Sequence, residues 1–355
     1  MTGAAGPHWL GALLGDADAA RIFSVEAELT DMLAFESALA VADAEAGLIP
    51  AEAGAAIAAA CDAFAPDHAA LAAGTARDGV VVPELVRQLR VAVGEPHAAH
   101  VHHGATSQDV VDTALALRVR EIVALFGTRL GAVLDAGRAL AARDGGKTVM
   151  GITRLQPALP IRAAHRIANW TAPVERARQT LPELAARLSV IQLGGPLGDR
   201  ATFGGRGGEV AARIAQLLGL GDPGAAWHTD RSRVAELGGW AARLTGGLGK
   251  IGADVALGAL TGAVRLQTGG GSSAMPHKTN PVGAEVLVTL AAFNAAQVSA
   301  LHTALVHENE RSGAAWTLEW MVLPPMLTAT LAALRHAEAV LGGIEFVATG
   351  EAGGG

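Results

Sequence analysis

The feature that most constrains this chain is Gln108 to Arg143, apolar at helical spacing with no proline inside it. An unbroken helix over that span would be about 50 Å long. A rod of that length packs well only beside other long helices. Similar patterns occupy Pro157 to Leu188, Ser232 to about Gln267, Pro281 to about His307 and Thr317 to Gly342. Pro173 and Pro182 predict kinks in the first of these, and Pro324-Pro325 a break in the last. No stretch shows the alternation that marks a half-buried strand. The expected fold class is all-α, with a central bundle of roughly five long helices.

Shorter helices are expected before the bundle: Phe23 to Gly47, Ala51 to Phe64, and one following Pro83. The expected division is a helical domain over 1–100, the bundle over 101–345 and a disordered tail over 346–355. Aromatic residues make up only 4% of the chain and Tyr is absent, so small aliphatic residues must do the packing. That favours close-packed helices over a β-sandwich. A single cysteine, Cys61, cannot form an internal disulfide, and no Lys or Arg precedes Arg21. Both point to a reducing, cytoplasmic setting. A net charge of −7 argues against nucleic acid as a partner. Leu287 to Val306 carries no charge over twenty residues, but it includes Thr289, Asn294, Gln297, Ser299, His302 and Thr303. It reads as a helix buried in a bundle, not a membrane span.

Four segments carry chemistry. Gly269 to Glu285 opens with three glycines and two serines, Ser272 and Ser273, and reads as a mobile loop. Asn280 reads as an N-cap with Pro281 at the first helical position, and Lys278, one of three lysines in the chain, lies just before it. Such a loop running into a helix start suits an anion. In the second segment, His102 to Asp109, Thr106 and Asp109 have capping-box spacing, so Ser107 stands at another helix start. The third, Gly151 to Pro160, contains Thr153, Arg154 and Gln156; the fourth, His307 to Trp320, contains Arg311, Trp316, Glu319 and Trp320.

Two patterns mislead. Gly247-Leu248-Gly249-Lys250-Ile251-Gly252 fits a dinucleotide fingerprint but follows no strand and sits inside a helical pattern. His97, His100, His102 and His103 could bind a metal, but read better as a loop at a pocket edge.

The residues from Gly271 to Pro281 match every fixed position of Gly-Ser-Ser-x-Met-Pro-x-Lys-x-Asn-Pro, and the chain thereby resembles the fumarase/aspartase superfamily. His102 to Asp109 is similar to the superfamily's His-x-Gly-x-Thr-Ser-x-Asp element. Thr153, Gln156, Ala158 and Pro160 match its Thr-His-x-Gln-x-Ala-x-Pro element. The resemblance covers about residues 20 to 345. It departs at Arg154, where many members carry a proton-transferring His oriented by a Glu, here Glu285. A guanidinium cannot exchange protons near neutral pH, so Arg154 reads as a carboxylate clamp or an ion-pair partner of Glu285.

Within the superfamily, Arg154 and the Trp316-x-x-Glu319-Trp320 pattern resemble the cycloisomerase branch, which closes a lactone during aromatic-compound catabolism. The chain ends soon after the last bundle helix, so the small C-terminal domain of longer relatives is expected to be truncated or absent. The adenylosuccinate lyase branch is the alternative, although its His-Asp pair is replaced by Arg77-Asp78. A non-catalytic structural homologue is the third reading. The resemblance implies Ser272 as proton carrier and Lys278 as the group stabilising developing negative charge. It implies His102, Thr106, Ser107, Thr153, Arg154, Gln156, Ser273, Met275, Asn280 and Arg311 as substrate-binding, with Glu285 supporting. It further implies a tricarboxylate substrate, a homotetramer with sites shared between subunits, and neither metal nor cofactor.

Overall fold

The computed structural model describes residues 8–271, 275 and 278–350. Twelve α-helices lie among them. The short ones come first: α1 (His8–Leu14), α2 (Ala17–Ile22), α3 (Val25–Glu45), α4 (Ala51–Asp62), α5 (His68–Asp78) and α6 (Val82–Val93). The bundle consists of α7 (Ser107–Asp144), α8 (Ala163–Leu188), α10 (Ser232–Leu260), α11 (Val282–Thr303) and α12 (Gly313–Gly342), with α9 (Gly207–Leu218) between α8 and α10. The chain is thus all-α with five long helices, as the spacing predicts.

Local chemistry sets many boundaries. Ser24 Oγ accepts from Ala27 N–H at 3.1 Å to start α3, and Ser312 Oγ accepts from Ala315 N–H at 3.2 Å to start α12. Helix α5 has no counterpart in the periodicity reading. It is bounded by the Asp67 cap and by Gly79 at φ +74°, a left-handed turn that favours glycine. Helix α12 runs through Pro324-Pro325 without the expected break. Val322, Leu323, Met326 and Leu327 around the prolines are buried, and that packing outweighs the missing hydrogen bonds.

The absence of strands is corrected. Strands β1 (Thr148–Thr153) and β2 (Gln156–Arg162) form an antiparallel hairpin, and β3 (Val264–Leu266) pairs with β4 (Ile344–Phe346). The segment from Pro157 to Arg162 is therefore strand, and the helix expected from Pro157 begins at Ala163. Pro157 and Pro160 are tolerated because a two-stranded ribbon has only edges. The chain stays hydrogen-bonded through Thr349, whose N–H donates to Thr148 O at 2.8 Å, beyond residue 346 where the sequence places the start of a tail.

Two apolar cores form. One lies within the bundle, around Trp170, Phe126 and Trp240; the other joins α3 to α6 and α9 to the first turns of α7. The fingerprint-like glycines serve helix packing. A Cβ on Gly249 would sit 2.6 Å from Ala291 Cβ, and one on Gly252 would meet the Ala284 carbonyl, so α10 and α11 touch almost backbone to backbone. Helix α11 buries one face, including Leu287, Leu290 and Asn294, whose Nδ2 donates to Thr330 Oγ1 at 3.0 Å. Its other faces are open within one chain, with Val288 and Phe293 exposed, so the burial expected for this segment is only partial here.

Candidate active site

The loop from 97 to 106 leads into α7. Thr106 is the N-cap, and Asp109 Oδ2 accepts its N–H at 3.0 Å, the return half of a capping box. Asp109 does more than cap. It also accepts from Gly194 N–H at 2.8 Å and Gly195 N–H at 2.9 Å, and its Oδ1 lies 2.8 Å from His228 Nε2. One buried carboxylate thus ties the Thr106 turn to the glycine loop after α8 and to the segment before α10.

Ser107 and Arg311 line a cleft of about 770 Å³, together with Asp78, Trp316, Trp320 and the first residues of α12. Two helix N-termini, those of α7 and α12, therefore contribute to one wall, where their unpaired N–H groups favour negative charge. Arg311 is aimed by Gln108 Oε1 at 3.1 Å and by the Pro196 carbonyl at 3.2 Å.

Behind the cleft lies a buried ion network. Arg231 donates to Asp112 (2.6 and 3.1 Å) and to Glu319 (2.6 and 3.0 Å), and Trp316 Nε1 donates to Asp112 at 3.0 Å. The Arg231 guanidinium also lies over the Trp227 ring, 4.7 Å from its centroid. Burial opposes the Arg231 charge, but the two carboxylates hold it above the usual arginine range. Burial pushes Glu319 up, against the pull of Arg231. Burial, and then Arg231, push His307 down.

The remaining sequence-derived residues lie elsewhere. Thr153 pairs with Gln156 at the hairpin tip, and Arg154 and Leu155 form a two-residue turn with φ of +49° and +62°. Such turns usually employ Asn and Gly, so two larger residues here store strain. Thr153, Arg154 and Gln156 are exposed. The expected Arg154–Glu285 ion pair does not form within the chain among the described residues, and Glu285 is exposed on α11. Lys278 and Met275 are exposed. Ser272 and Ser273 lie outside the described residues.

Asn280 is not the N-cap. Its N–H donates to Gly270 O at 2.8 Å and its carbonyl accepts from Gly270 N–H at 3.0 Å, closing the neck of the signature loop. Pro281 takes the cap position and α11 starts at Val282. The glycines are needed for closeness at this neck: a Cβ on Gly269 would sit 2.5 Å from Asn280 O.

These groups occupy opposite ends of the bundle. Ser107 and Arg311 stand at the starts of α7 and α12. The hairpin and the signature loop spring from the other end, where Gln267 N–H bonds Gly343 O and Thr349 N–H bonds Thr148 O. Thirty residues of α12 separate the two ends, about 45 Å. Asp112, Arg231 and His228 lie outside the residues that the sequence singles out, because no local pattern links Asp112 to Arg231, or Asp109 to His228, across 119 residues.

The profile of the family described as Lyase matches residues 15–296. The chain belongs to this family, within the fumarase/aspartase superfamily. It is 40% identical over 332 residues to a 3-carboxy-cis,cis-muconate cycloisomerase from Pseudomonas aeruginosa, covering 91% of this chain and 72% of that protein. It is 35% identical to the same-named protein of Acinetobacter baylyi, covering 92% and 75%. The crystal structure of the 3-carboxy-cis,cis-muconate lactonizing enzyme from Pseudomonas putida superposes with a TM-score of 0.89 at 38% identity, over 96% of this chain and 78% of that one. A fumarate lyase from Mesorhizobium sp. BNC1 superposes with a TM-score of 0.87 at 32% identity, over 94% and 76%.

Proposed function

We propose that this chain is a lactonising cycloisomerase that interconverts 3-carboxy-cis,cis-muconate and 4-carboxymuconolactone. The observation that carries the reading is 40% identity to a protein of that name over 91% of this chain. Arg154 in the usual place of a proton-transferring His agrees with it. In the lactone-opening direction a proton leaves carbon while the neighbouring C–O bond breaks and releases a carboxylate. A carboxylate leaves without being protonated, so no leaving-group acid is required. In the closing direction the substrate carboxylate forms the C–O bond and the adjacent carbon takes the proton.

Ser272 carries that proton in this reading, with Lys278 stabilising the negative charge that builds up on the substrate. Thr106, Ser107 and Arg311 hold one part of the tricarboxylate; Thr153, Arg154, Gln156 and Asn280 hold another. Since these sets stand at opposite ends of one bundle, a complete site draws on more than one copy of the chain. A homotetramer with shared sites meets that need, and the open faces of α11 give copies a surface to pack on. The setting is cytoplasmic aromatic-compound catabolism.

The test is an ultraviolet assay of the purified protein with 3-carboxy-cis,cis-muconate, run beside adenylosuccinate. Loss of diene absorbance with the first alone supports the reading; fumarate release from the second alone overturns it.

A further inference from the structure

His102 and His103 are adjacent on the loop into α7, yet each is held by a different buried carboxylate of α3. His102 Nδ1 lies 2.6 Å from Glu36 Oε1, and His103 Nδ1 lies 3.0 Å from Asp43 Oδ2. Glu36 and Asp43 are both fully buried. Nothing in the sequence pairs Glu36 and Asp43 of α3 with this loop, which follows them by 66 and 60 residues.

The Glu36 carboxylate is in an exacting position. Among the described residues its only hydrogen-bond partner is His102, and its second oxygen is buried without any. An isolated buried carboxylate is costly, so the neighbouring imidazole is driven to carry the compensating charge. A carboxylate only accepts, which places the ring proton on Nδ1 toward Glu36. Nε2 then forms no hydrogen bond among the described residues, and the His102 side chain retains 15% exposure. The backbone at His102 is left-handed, with φ +64°, a conformation that few residues other than glycine adopt. Four residues later comes Thr106, and then Ser107 of the cleft.

We propose that Glu36 is a positioning residue of this site: it fixes the His102 ring through Nδ1 and keeps the imidazole cationic, so that Nε2–H binds a substrate carboxylate. The substrate rests on the cycloisomerase reading; the dyad does not. Other groups also face His102. Asp109 on α7 favours the cation, Arg90 on α6 opposes it, and burial opposes it most. The charge and hydrogen bond of Glu36 outweigh the losses, and His102 sits above the ordinary histidine range. The buried thiol of Cys61 on α4, pushed up to about 12 by burial and then by the Glu36 charge, also lies near that charge.

The cation is lost as pH rises through the raised value, so substrate affinity falls on the alkaline side. The experiment compares wild type with Glu36→Gln. The alkaline limb of kcat/KM should move down by about one pH unit, with KM rising several-fold near neutrality and towards about tenfold at higher pH, and kcat changing little. A limb that stays in place overturns the proposal. In parallel, 13C-histidine NMR of the wild-type protein, with His102 assigned by its loss in His102→Gln, should show titration above 6.5. Titration at or below the ordinary value overturns the proposal without reference to turnover, and remains decisive if Glu36→Gln does not fold. An unmoved limb in a protein that consumes 3-carboxy-cis,cis-muconate removes the dyad and leaves the cycloisomerase reading. A wild type silent toward that substrate removes the reading, while the NMR result still judges the dyad.

Discussion

Asp112 and Arg231 are 119 residues apart in the chain and meet at 2.6 Å in an ion pair that is buried on both sides. Glu319 completes the arrangement from α12, so a single guanidinium serves two carboxylates. The pair fixes the start of α10 to α7, and Trp316 on the same Asp112 fixes the wall of the cleft. Removing the cation would leave two uncompensated charges in the interior. Arg231→Met should destabilise the fold by about 3–5 kcal/mol, measured by chemical denaturation. A loss below about 1 kcal/mol would mean that the carboxylates can take up protons at no cost.

At the hairpin tip, Arg154 adopts a left-handed conformation with its side chain exposed. Strain of this kind persists where a side chain is needed in a given place. On the clamp reading of Arg154, in which the guanidinium would hold a substrate carboxylate alike in ground and transition states, Arg154→Met should raise KM about tenfold or more with little change in kcat. Steady-state kinetics decide this; an unchanged KM removes the clamp.

Ser272→Ala should lower kcat by about two to four orders of magnitude, the usual range for losing a proton-transfer group. Sedimentation should give the same oligomer as wild type. A fully active variant would take Ser272 out of the mechanism.

Asp31 on α3 is pushed up to about 6 by burial, only partly offset by Arg118. Its folded value lies above its unfolded one, so its ionised form works against folding. That penalty is absent below about pH 4 and complete above about pH 6. Asp31→Asn should therefore stabilise the protein by about 1–3 kcal/mol at pH 7.5 and hardly at all at pH 4. Denaturation curves at the two pH values test the sign.

Gly249 meets Ala291 across the α10–α11 contact. Gly249→Val should cost about 1–3 kcal/mol or more by overpacking, and should weaken self-association if α11 is splayed from the bundle. Thermal melting and sedimentation read the two effects.

Much of this protein was legible in the amino-acid order alone. Helical periodicity and capping act over a few residues, which is why the long bundle helices and the Thr106–Asp109 box could be read directly; the stretch from Gly271 to Pro281 was legible as a resemblance to the superfamily's signature. The hairpin was missed because its turn is Arg154-Leu155 and its second strand holds two prolines, neither a usual strand signal. The role of Asn280 was misjudged because its backbone is drawn into a bridge with Gly270, ten residues away. Tertiary structure alone decided that Asp109 gathers three segments, that Arg231 joins α7 to α12, and that Glu36 stands behind His102. It alone also set Ser107 and Arg311 at one end of the bundle and the hairpin and the Gly270–Asn280 neck at the other. Such pairings cost loop-closure entropy and are stabilised by burial of charges and apolar faces from distant segments, and no local window of sequence contains those terms.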